Sequence, residues 1–173
     1  MNTWNIDQAH SVIGFKVKHL MVSTVRGAFT DFSGSINAED NTFENASISF
    51  SLKTASITTH NEGRDGHLHS ADFFDVAQFP TISFVSTSFM KKGDAYELVG
   101  NLTIKGVTKS VILSATSDGV GAGMDGKPVV GFDVVGTINR EEFGLTWNPT
   151  LESRGFVVSD KVALDIHIEA VQA

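Results

Sequence analysis

Six histidines, thirteen Lys and Arg and twenty Asp and Glu stand in a chain of 173 residues without cysteine, and few of them fall at spacings that could do chemistry. The densest group is His60…Arg64-Asp65…His67-Leu68-His69. It admits three readings: a metal site, a clamp for an anionic group, or a capped surface turn. Two histidines two apart on a helix point about 200° from each other, so His67 and His69 share an ion only if the segment is extended. No metal site is therefore expected. Arg64 has the planar fork that grips an anion, or it pairs with Asp65 or Asp72 as a helix-surface contact. Glu141 and Glu142 are adjacent and do not converge from separate elements, which a hydrolytic carboxylate pair requires. Their neighbour Arg140 is expected to form a structural ion pair with them. Lys105-Gly106-Val107-Thr108-Lys109 lacks the glycine-rich spacing of a phosphate loop and reads as a hairpin turn. Asp133 and Asp160 read as turn or edge polar groups, and no Gly-x-Ser-x-Gly elbow exists. No catalytic residues are assigned.

The elements that would position these residues follow a two-residue rhythm, the period of a strand with one buried face. Ala46, Ile48, Phe50 and Leu52 alternate with serines; Ile13, Phe15 and Val17 alternate with Gly14, Lys16 and Lys18. Similar phases run through Ile82/Phe84, Leu98/Gly100/Leu102/Ile104, Val111/Leu113/Ala115, Val130/Phe132/Val134/Gly136/Ile138 and Val162/Leu164/Ile166/Ile168. Shorter or bent strands are expected around residues 4–7 and 25–36, for about eight or nine in all. Lys92-Gly93-Asp94, Lys105-Gly106 and the glycine-rich stretch 118–126 read as hairpin loops, so successive strands are antiparallel. One short helix is expected near residues 61–75, with Leu68 and Ala71 on one face and Phe74 extending it. Gly63 and Gly66 weaken it, at about 1 kcal/mol each.

A sheet of this size, apolar on one face, must roll up or split to hide that face. The outward positions are Ser, Lys, Asp, Glu and His, so the apolar side chains face inward, the reverse of a porin wall. At this length a chain hides roughly 70% of its unfolded surface and needs no staples. The formal charge of −7 has the wrong sign for a phosphate-backbone binder, so no nucleic-acid partner is expected. No apolar run reaches a membrane span, and stable membrane insertion is not expected. Met1-Asn2-Thr3-Trp4 lacks a basic region followed by an apolar one, which suggests a cytoplasmic protein as written, or a periplasmic one if an export signal has been removed. Thirteen Phe stand against one Tyr and two Trp; the aromatic surface is almost free of hydroxyls, as a dry apolar interior requires.

His10-Ser11 after Asp7, Phe15-Lys-Val-Lys-His19, Arg26-Gly27-Ala28-Phe29, the block from Arg64 to Asp75, Phe79-Pro80-Thr-Ile-Ser-Phe84, Gly100 to Lys109 and Asn139-Arg140-Glu-Glu-Phe143-Gly144 resemble, in this order and spacing, the YceI-like polyisoprenoid-binding family. The resemblance covers about residues 4–169. It implies one domain over 1–173, an all-β, extended antiparallel eight-stranded lipocalin-like barrel whose apolar lumen holds a polyprenyl diphosphate or an isoprenoid quinone. The sequence is silent on oligomeric state; the resemblance leaves a homodimer open, since relatives are often dimeric. No cofactor is expected beyond the bound polyisoprenoid lipid.

On this reading the lumen is lined by Ile13, Phe15, Val17, Phe29, Ile48, Phe50, Leu52, Phe84, Leu102, Ile104, Phe132, Val134, Ile138, Leu164 and Ile166. His19, His60, Arg64 and His67 are the candidates for a headgroup contact. Two rivals remain: an enzyme acting on an isoprenoid or quinone with His10, His19 or a carboxylate as acid or base, and a packed barrel serving as an interaction domain.

Overall fold

The computed structural model describes residues 1–149 and 157–173. In chain order its strands are β1 (Asn2–Ile6), β2 (Val12–His19), β3 (Ser23–Phe29), β4 (Phe32–Ala38), β5 (Ser47–Lys53), β6 (Ile57–Thr58), β7 (Thr81–Lys92), β8 (Ala95–Ile104), β9 (Val107–Thr116), β10 (Val120–Ala122), β11 (Pro128–Asn139) and β12 (Val158–Gln172), with helix α1 (Glu62–His69) between β6 and β7. All are antiparallel neighbours in one sheet, ordered β10-β11-β9-β8-β7-β5-β4-β1-β12-β2-β3-β6, and an additional β11–β12 ladder closes it. β1 with β2, β3 with β4 and β5 with β6 are halves of three bent staves, and β10 only flanks β11. The result is a closed eight-stranded antiparallel barrel with one short helix.

The turns follow the residues that permit them. Lys105 and Gly106 both have positive φ, the primed hairpin geometry that matches strand twist. Gly93-Asp94 joins β7 to β8 in two residues. The stretch 118–126 was expected to be a loop throughout, yet it carries β10, which pairs Val120 with Val130 and Ala122 with Pro128. The helix is shorter than expected. Asn61 caps it through Oδ1, which accepts from the Arg64 N–H at 2.9 Å, and the Ser70 N–H and hydroxyl both donate to the His67 carbonyl. The chain therefore leaves the helix at Ser70; Phe73 and Phe74 turn toward the barrel, while Ala71, expected on the apolar face, is exposed.

The bends of the three staves lie side by side. Gln8 Nε2 donates to the Thr30 carbonyl, and the Thr30 N–H and hydroxyl both donate to Ser56. On the fourth stave, β12 pairs with β2 as far as His167↔Val12 and with β1 from Ala170↔Ile6. Glu169 lies at the break: its N–H donates to Ser11 Oγ at 2.9 Å and its carbonyl accepts from the Asp7 N–H at 2.8 Å. A side-chain oxygen thus supplies the ladder acceptor missing at the kink.

His10 sits over this break, with Nδ1 2.8 Å from Asp7 Oδ2 and 3.8 Å from Glu169 Oε1. The hydrogen bond to Asp7, with the charges of Asp7 and Glu169, raises the imidazole above its ordinary 6.5. The same hydrogen bond lowers the Asp7 carboxyl. A raised imidazole contributes stability that is complete below the ordinary histidine value and lost as pH rises through the raised one; a lowered carboxyl contributes above the ordinary Asp value and loses it as pH falls through the lowered one.

Two outcomes are expected. Nuclear magnetic resonance titration of the His10 ring should give a midpoint above 6.5, moving down in Asp7→Asn; an ordinary midpoint in the wild type would remove the pairing. Ser11→Ala leaves the Glu169 N–H without its acceptor and should cost about 1–3 kcal/mol in denaturant unfolding. Ser49→Ala, on an exposed position of β5, should change stability by less than about 0.5 kcal/mol.

Candidate functional site: the barrel lumen

The inward phase of every stave meets in one cavity of ≈ 250 Å³. Ile13, Phe15 and Val17 line it from β2, Phe29 from β3, Ile48, Phe50 and Leu52 from β5, and Phe84 from β7. Leu102 and Ile104 from β8, Phe132, Val134 and Ile138 from β11, and Leu164 and Ile166 from β12 complete the expected set, all of it on the cavity wall. One end is plugged by Trp4, Phe43 and Phe89, each at most 2% exposed, with Phe43 edge-on to Phe132 at 5.3 Å. At the other end Leu68, Phe73 and Phe74 cover the wall, and Phe74 stands edge-on to Phe29 at 5.7 Å.

Ring placement depends on inward glycines. A Cβ on Gly27 would lie 2.4 Å from Phe15 Cζ, and one on Gly100 would lie 2.3 Å from Phe84 Cζ. Each ring tip occupies the space that a side chain on the neighbouring stave would fill.

Among the described residues Arg140 is the single charged side chain on the cavity wall. It is 3% exposed. The expected ion pair with Glu141 and Glu142 is not formed. Nε donates to the Ser159 carbonyl, Nη1 to those of Leu145 and Trp147, and Nη2 to that of Val158. Burial lowers its pKa, against the raising pull of Glu141 and Asp160. Asn148 adds two bonds to Val158, accepting at Oδ1 and donating from Nδ2. The guanidinium therefore staples the segment after β11 to the start of β12 at the rim, with its donors turned to backbone carbonyls. The signal for it was present: Arg140 continues the inward phase Val130, Phe132, Val134, Gly136, Ile138 by one step. Leu145 and Val158, also on the wall, lie outside any alternating run.

The candidates for a headgroup contact are not brought together. Arg64 pairs with neither Asp65 nor Asp72: its Nε and Nη2 donate to Thr59 Oγ1 and the Thr59 carbonyl, and Asp65 Oδ1 accepts from the same threonine's N–H and hydroxyl. His60 is exposed, at φ 58°. His67 Nε2 is 2.8 Å from Asp72 Oδ2, and its ring stands edge-on to Trp147 at 4.6 Å and to Phe73 at 5.1 Å. His19 ends β2 in the inward phase, opposite Val158. None of the four lines the cavity.

A closed antiparallel barrel around an apolar lumen defines a lipocalin-like binding fold, and known proteins agree with that class. The YceI-like domain family matches residues 4–170, and the chain belongs to that family. A UPF0312 protein of Staphylococcus aureus (strain USA300) is 38% identical over 170 residues, 98% of this chain and 97% of its own. The crystal structure of a Campylobacter jejuni YCEI protein shares 36% identity and superposes with a TM-score of 0.77 over 96% of both chains. A polyisoprenoid-binding domain from Saccharophagus degradans, 14% identical, shares the fold with a TM-score of 0.69 over 98% of both.

Lysine cannot reproduce the Arg140 staple, because its donors share one nitrogen and cannot span carbonyls on two segments. Arg140→Lys should lower unfolding free energy by about 2–4 kcal/mol as buried carbonyls lose their partners. A denaturant midpoint equal to the wild type would show that the staple does not hold the rim.

Proposed function

We propose that this chain binds and carries a long-chain polyisoprenoid lipid, such as a polyprenyl diphosphate or an isoprenoid quinone, in the barrel lumen, without making or breaking a bond. The observation that carries the proposal is the cavity wall: apolar side chains from every stave and, among the described residues, one charged group, each of whose nitrogens already donates to a backbone carbonyl. An isoprenoid tail has no hydrogen-bonding groups, so a wall without them is its complement. An eight-stranded barrel is wide enough for one slender ligand. Burying a tail of about forty carbons at about 0.8 kcal/mol each would give a gross gain near 30 kcal/mol. That exceeds the ceiling of about 18–21 kcal/mol for any non-covalent complex, so ordering of the tail offsets a large part of it. Slow release follows.

The polyisoprenoid-binding neighbour supports the ligand class at the level of fold. An enzymatic reading would need an acid or base at the lumen. His10, the histidine with a raised pKa, lies on the outer surface over the β12 break, and His19 lies at the rim. The packed-barrel alternative is opposed by the open cavity itself.

Protein produced in a bacterial host should yield an isoprenoid lipid near one per chain, or one per dimer, on organic-solvent extraction and mass spectrometry. Repeated absence of any such lipid would sink the carrier reading. Phe50→Asp sets a carboxylate on the lumen wall and should abolish lipid recovery or folding, at a cost of several kcal/mol; Ser49→Asp, one residue along and exposed, should melt and bind as the wild type does. Equal tolerance at the two positions would contradict a dry lumen.

A further inference from the structure

The β2–β3 hairpin carries features that the barrel does not explain. Its tip is Leu20-Met21-Val22, exposed by 41%, 65% and 83%. Leu20 and Met21 both have positive φ, at 52° and 61°. Left-handed backbone suits Gly or Asn, and for Met21 it is a cost with little burial to offset it. None of the three belongs to the apolar clusters that the described residues form.

The charge of this hairpin is as unusual as its tip. From Val12 to Phe29 there are three cations, Lys16, Lys18 and Arg26, and no carboxylate, in a chain of net charge −7. Lys16 and Arg26 are direct register partners, and both lie on the outward face, out of phase with Phe15 and Val17. Like charges in that relation repel. Asp165 relieves Lys16 at 3.2 Å; among the described residues no carboxylate lies within ion-pair distance of Lys18 or Arg26. An outward cationic strip behind an apolar tip is the pattern of a segment that meets an anionic lipid surface, where apolar side chains enter the headgroup boundary and each nearby cation adds attraction.

The hairpin also stands at the lumen mouth. Val17, three residues before the tip, lines the cavity; the Leu20 N–H donates to the Val157 carbonyl at 2.9 Å, and Val158, on the cavity wall, pairs with His19. We propose that the Leu20-Met21-Val22 tip, backed by Lys18 and Arg26, docks on an anionic bilayer and sets the lumen mouth against the membrane surface. As a route for lipid entry and exit this rests on the carrier reading; as a binding surface it stands on the hairpin alone.

The test is flotation of the whole protein with vesicles of phosphatidylglycerol and phosphatidylcholine, against phosphatidylcholine alone, at low and at high salt. The wild type should float with the anionic vesicles at low salt and lose most of that binding at high salt, as screening requires. A Met21→Asp, Val22→Asp double variant should bind at least tenfold more weakly, and Lys18→Glu roughly five- to tenfold more weakly. Both variants should keep the wild-type melting temperature and extractable lipid, because these side chains touch neither core nor lumen. Absence of flotation by the wild type, or equal flotation by wild type and double variant, overturns the docking surface. Flotation by a protein that never yields lipid on extraction would uphold docking and overturn the carrier reading, whereas a lipid-loaded protein that ignores anionic vesicles would do the reverse.

Discussion

The structure depends on β12 satisfying two different neighbours along one edge. Its other edge pairs with β11 in continuous register from Val129↔Val171 to Asn139↔Lys161, which fixes the strand. The stave facing it must then bend, because β1 and β2 approach β12 in separate registers. Once that stave bends its neighbours must follow, and the Gln8, Thr30 and Ser56 hydrogen bonds carry the kink across the wall. The lumen is dry because the side chains that these staves turn inward are almost all apolar.

The inward phase of the wall was legible because strand side chains alternate with a period of two, and a register error of one residue would expose every Phe on that stave. Phe15, Phe50, Phe84 and Phe132 lie where alternation puts them. The bends were not legible: they are fixed by hydrogen bonds between residues far apart in the chain, such as Ser11 with Glu169, and neither residue type marks a kink. The block from His60 to Ser70 misled for a local reason. Arg64 has the shape to hold an anion, but Thr59, five residues back, offers a hydroxyl and a carbonyl at closer range. The charged neighbours of Arg140 suggest an ion pair, although its phase along β11 places it inside.

Hydroxyl-poor aromatic composition and inward glycine form one design. The rings of Phe15 and Phe84 reach into the space that side chains at Gly27 and Gly100 would fill. The lone tyrosine is kept to the plugged end, where Tyr96 stacks on Phe89 at 4.6 Å and its hydroxyl donates to the Thr42 carbonyl. At the opposite end polar groups return, but engaged: Arg140 on carbonyls, His67 with Asp72. Among the described residues polarity is confined to the two ends of the tunnel, and the wall between them offers only dispersion and exclusion of water.

The barrel's seam also sets the order of events in time. β7, β8 and β9 are joined by tight turns and can pair as soon as they exist, whereas Trp4↔Gln172 unites residues from the two extremes of the sequence. Loop-closure entropy makes such a pairing late, and chains dominated by distant contacts fold slowly. During that interval the sheet is a curved trough with its apolar face open along the whole seam. On the carrier reading, a water-insoluble guest can meet that face before the last ladder forms, and filling during folding then competes with filling through the finished mouth.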